Sequence, residues 1–95
     1  MLFRSETVEQ AAALAIKRGI PAFSPIAYTV PMAQKYQMPH SFPFWRQFDL
    51  AMLAPARTLV VLKIPGWQDS IGVREELAMA DNFNIPVRFE EVQND

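Results

Sequence analysis

The chain has 95 residues, of which 51% are hydrophobic and 20% charged, with no cysteine and a formal net charge of −1. These values fit one small globular domain over residues 1–95. They exclude a disordered chain, a disulfide framework, a thiolate metal site or nucleophile, and any general electrostatic pull toward nucleic acid or anionic membrane. No apolar run approaches the roughly 20 residues that span a bilayer, and Met1 to Arg4 lack a signal-peptide layout, so a cytoplasmic protein is expected. A chain this short buries only about two-thirds of its unfolded surface, so self-association would help it.

Residues 5–18 read as a helix. Ser5 can cap it, Glu6 and Glu9 suit the positive end of its dipole, and Val8, Ala11, Ala12, Ala15 and Ile16 form an apolar stripe. Lys17 and Arg18 occupy the last turn, and Gly19 is a left-handed stop. Pro21 and Pro25 bracket a short expected strand, Ala22 to Ser24, continuing to Ile26. Pro25, Pro31, Pro39 and Pro43 fall in or beside residues 27–43, which are expected to form a long loop. Phe44 to Leu53 read as a second helix with Trp45, Phe48 and Met52 on one face. Leu59-Val60-Val61-Leu62 is an unbroken apolar strand of the kind found in parallel sheets. A turn at 65–69, a third helix from Ser70 to Asn82 and a final strand from Pro86 to Phe89 complete the pattern. The order α-β-α-β-α-β implies a parallel sheet whose ligands bind beyond the carboxyl ends of the strands, at Ser24, Lys63 and the loops that follow.

The third helix carries the most chemistry. Successive residues turn by about 100°, so Glu76 falls close to Val73 and Ala80 and shares their inward face, while Glu75 points toward solvent. An inward carboxylate needs a partner or its pKa rises. Glu76 could instead lie at the helix edge and reach water. Asp49 sits between Trp45 and Met52 in the same manner, or pairs with Arg46 or Lys63 at a boundary. Asp69 and Ser70 precede the helix, where either is an ordinary N-cap. The same free N–H groups, with Gly72 permitting close approach, also form an anion site. His40 has no companion ligand, Tyr28, Tyr36, Phe42 and Phe44 suit core packing as well as base stacking, and no metal-ligand spacing occurs.

The run from Pro65 to Ala80 resembles the S-x-G-V-x-x-E-L-x-x-A signature of 2′-deoxynucleoside 5′-phosphate N-hydrolases, here Ser70, Gly72, Val73, Glu76, Leu77 and Ala80. Its G-W-x-x-S-x-G opening is similar to small phage and bacterial members of the nucleoside 2-deoxyribosyltransferase-like superfamily. Those relatives share an F-S-P-I segment, here Phe23 to Ile26, and a W-x-x-x-D helix, here Trp45 and Asp49. The resemblance implies a small three-layer Rossmann/flavodoxin-like parallel sheet, N-terminally truncated, of about three strands and three helices. It implies that Glu76 is the nucleophile on the anomeric carbon, Asp49 the acid for the departing base and Ser70 the 5′-phosphate ligand. Asp69 stands near a sugar-binding aspartate, with one residue more before the glutamate than the transferases have; Gly72 and Ser24 join the substrate-binding set. The implied substrate is a nucleoside or nucleotide, with no cofactor or metal, no direct nucleic-acid contact and no membrane. Relatives begin with a central strand and a tyrosine-bearing loop, whereas this chain enters its first helix almost at once, and Ala56-Arg57 replaces a usual aspartate. A homo-oligomer that completes the sheet is therefore expected. The alternative is a non-catalytic ligand-sensing or assembly module on the same fold.

Overall fold

Apolar spacing and helix caps set most element boundaries in the computed structural model, which describes residues 4–92. The chain forms two compact units, one ending at His40 and the other beginning at Ser41.

The first unit is a pair of packed helices, α1 (Arg4–Lys17) and α2 (Pro25–Lys35). Ser5 lies within α1 rather than capping it. Gly19 ends α1 in the left-handed region (φ 84°), where a side chain would be strained. The Gly19 N–H donates to the Ile16 carbonyl at 2.9 Å and the Ile20 N–H to the Ala15 carbonyl at 3.0 Å, the paired bonds of a Schellman ending.

Two expectations fail in this unit. Residues 22–26 form no strand, and most of the expected loop at 27–43 is helix α2. The prolines misled. Pro25 sits in the first turn, where a missing N–H costs nothing, and Ser24 caps that turn by accepting the Ala27 N–H at 3.2 Å. Pro31 lies inside the helix and deprives the Ala27 carbonyl of its usual donor, but inward Thr29 and Ala33 are buried and hold the segment helical.

In the second unit, α3 (Phe42–Leu53) starts two residues earlier than expected, because Ser41 is the N-cap and Pro43 fits the first turn. Trp45 anchors its aromatic face, edge-on to Phe44 at 5.1 Å and to Phe48 at 6.0 Å. Strand β1 (Leu59–Leu62) pairs in parallel with β2 (Val87–Glu90), and α4 (Ile71–Asn82) connects them. Val61, Met79, Ala80 and Ile85 are buried, and α4 packs against both β1 and α3. Leu59 and Lys63 donate to the Pro86 and Glu90 carbonyls at 2.9 Å each. The register sets Leu59, Val61, Val87 and Phe89 on one face and Val60, Leu62, Arg88 and Glu90 on the other. After β1 the chain turns sharply, with the Ile64 N–H bonded to the Leu62 carbonyl at 2.8 Å. Asn84, at φ 57°, ends α4 with the same paired bonds that Gly19 gives α1.

The fold is thus mixed α/β, with four helices and a two-stranded parallel sheet among the described residues, in place of the expected three helices and three strands. No helix among them is long and apolar enough to cross a membrane.

Candidate active site

The end of β1 leads directly into the segment that holds the third-helix residues. Gly66 adopts φ 89° and opens a short 3₁₀ turn, Trp67–Asp69. The Trp67 N–H donates to the Ile64 carbonyl at 2.9 Å, and its ring packs on Phe89 of β2 with centroids 5.3 Å apart. That contact fixes the turn against the sheet face and so positions Ser70. Trp67 was not singled out as a positioning residue from sequence; the cue is an aromatic directly after the turn glycine. Arg74 reinforces the turn from α4, its Nε donating to the Gln68 carbonyl at 3.3 Å.

Ser70 is the N-cap of α4, and its Oγ accepts the Val73 N–H at 3.3 Å. The capping role is therefore realised, and an incoming anion would compete with this bond for the helix N–H groups. Asp69, the last residue of the turn, is exposed. At Gly72 a methyl group would meet only the Ser70 Oγ at 3.8 Å, an ordinary contact, so the local packing does not demand glycine. Ser24 belongs to the first unit, where it caps α2 rather than ending a strand. A groove in that unit is lined by Glu6, Glu9, Ala27, Val30, Pro31 and Gln34, none of them an expected site residue.

The strongest electrostatic feature is the pair Asp49 and Glu76, carried on the packed helices α3 and α4. Both side chains are partly covered; Glu75 is too, rather than pointing freely to solvent. Burial raises the Glu76 pKa from its ordinary 4.5 to about 7, and the nearby negative charge of Asp49 adds to the rise. Burial also lifts the Asp49 pKa above its ordinary value. Among the described residues neither carboxylate has a cation within ion-pair distance. Lys63, one expected partner of Asp49, lies 3.3 Å from Glu91 instead, and Arg88 lies 2.7 Å from Glu90. Glu76 therefore retains a share of its proton near neutrality, where an ordinary glutamate is ionised. Two carboxyl groups of opposite protonation state can divide acid and nucleophile or base roles. No group of three or more metal-ligating side chains occurs among the described residues.

Fold and site together define a small α/β protein with two helix-borne carboxylates and a serine-capped helix terminus. The model of the family described as Domain of unknown function (DUF1937) matches residues 3–91, and the chain belongs to that family. No curated protein and no solved structure matches it.

Proposed function

We propose that the chain binds a deoxynucleoside or its 5′-monophosphate and cleaves the N-glycosidic bond, as its resemblance to the nucleoside 2-deoxyribosyltransferase-like superfamily implies. The observation that carries this reading is the Asp49–Glu76 pair, in which burial and the Asp49 charge raise the Glu76 pKa to about 7 and no counter-cation lies within ion-pair distance among the described residues. Ser70 supports it. Glu76 stands six positions after the N-cap Ser70, a rise of roughly 9 Å along the helix, on the scale of a nucleotide's sugar and phosphate. The β1–α4–β2 unit supports the finer fold as well, since parallel strands joined by a helix are the repeating piece of a Rossmann/flavodoxin-like sheet.

In this mechanism a Glu76 oxygen attacks the anomeric carbon as the carbon–nitrogen bond breaks. The bonding pair leaves with the base, and Asp49 supplies the proton that the base takes up. Water then attacks the glycosyl ester with Asp49 as base, releasing the sugar and restoring Glu76. Substrate binding must first draw the retained proton from Glu76 to Asp49. Asp69 and Gly72 remain the proposed substrate contacts; no cofactor takes part.

The test is incubation of the purified chain with deoxynucleoside 5′-monophosphates, with chromatography of the released base. Wild type should release base, with activity falling as pH rises past about 7 and the pair loses the proton that Asp49 must supply, and Glu76→Ala should release none. Equal release by both proteins would remove the mechanism.

The second reading, a ligand-sensing or assembly module, is favoured by Ser70, whose hydroxyl already caps its own helix. Thermal stabilisation by nucleotides without base release would establish it.

A further inference from the structure

We infer that the outer edge of β2 pairs antiparallel with the same edge of a second copy of this chain, about a two-fold axis at Phe89; this surface is separate from the carboxylate pair. The parallel register directs the backbone groups of Arg88 and Glu90 toward β1. The N–H and C=O groups of Val87, Phe89 and Glu91 point the other way, and no strand pairs with them among the described residues. A two-stranded sheet is small, and an open edge is a template for another strand. Phe89 remains 44% exposed there.

The sequence of this strand selects the partner. An antiparallel pairing centred on Phe89 brings Phe89 opposite its own copy, with both backbone groups aimed correctly, and Val87 opposite Glu91. It sets Arg88 of each copy opposite Glu90 of the other, on the face where Arg88 and Glu90 already form an ion pair within one chain. Opposite charges directly across strands attract and like charges repel. Neighbouring registers fail. Centring on Val87 faces Arg88 with Pro86 and loses both cross-pairs. Centring on Glu91 sets two glutamates opposite each other. Centring on Arg88 or Glu90 opposes like charges and aims the backbone groups at β1. The segment Val87-Arg88-Phe89-Glu90-Glu91 is therefore complementary to itself in one register.

The test uses the full chain in analytical ultracentrifugation over a concentration series, with circular dichroism to confirm folding. Wild type should dimerise. Arg88→Glu should weaken dimerisation by ~10-fold or more, and the exchange Arg88→Glu with Glu90→Arg should return the dissociation constant to within ~3-fold of wild type. Hydrogen exchange supplies a second readout. The Arg88 and Glu90 amides should be protected at all concentrations, and the Val87 and Phe89 amides only where the dimer is populated. A monomer at every concentration, a dimer indifferent to the single reversal, or a dimer in which Val87 and Phe89 exchange freely would each overturn the inference.

Discussion

Replacing Glu76 by glutamine removes the titrating proton and keeps the shape of the side chain. The wild-type consequence follows from the raised pKa. Between pH 4.5 and about 7 the unfolded chain has given up this proton while the folded chain keeps it. The stability associated with the neutral carboxyl is complete below pH 4.5 and is lost as pH rises through about 7. The full displacement corresponds to as much as about 3 kcal/mol, and solvent access to the partly covered side chain reduces this to ~1–3 kcal/mol. Urea unfolding at pH 5 and pH 8 reads it directly. Wild type should lose that amount on going to pH 8, relative to Glu76→Gln, whose glutamine amide stays neutral throughout. Asp49→Asn should recover part of the loss, because it removes the neighbouring charge but leaves the burial that is the larger cause. Parallel pH profiles for wild type and Glu76→Gln would refute the reasoning.

Two further changes test the helix termini and the interior proline. Ser70→Ala should cost about 1 kcal/mol of stability, the usual value of an N-cap, measured by chemical unfolding; no loss would mean that the Val73 bond contributes nothing. Pro31→Ala should stabilise the first unit by ~1–2 kcal/mol, since it restores a donor to the Ala27 carbonyl at an exposed site and only partly offsets this by loosening the unfolded chain. Helical circular dichroism followed through thermal unfolding checks it, and an unchanged or lower midpoint would show that the proline itself is needed there.

Where a residue's local preference and its long-range surroundings agreed, the sequence was sufficient. The apolar run Leu59 to Leu62 is β1 residue for residue, and Ser70 caps α4 as its type and position suggest. Helical phase brought Glu76 to a covered face, and the same reasoning placed Asp49. Their electrostatic coupling was beyond periodicity, because it depends on how α3 packs on α4. The first unit departs from the sequence pattern because the effect of a proline depends on where in a helix it falls. Pro25 starts a helix, and Pro31 is tolerated inside one because burial of Thr29 and Ala33 outweighs a lost hydrogen bond. Ser24 within F-S-P-I suits a strand end, yet Ser-Pro is equally the entry to a helix, and it is the helix that forms. The alternation of charge around Phe89 was present in the sequence, but its meaning depends on which edge of β2 is open.

The tight turn after β1 bears on how far such a sheet can grow. Pairing through β2 leaves a β1 strand at each outer limit. There the Leu62 carbonyl is already occupied by the Ile64 N–H at 2.8 Å, and Lys63 follows immediately. An approaching strand would find only the Val60 groups and one further donor. If two chains pair in this way, growth would stop there: the bond that begins the turn toward Ser70 would also act as a terminator, giving a closed pair rather than a filament.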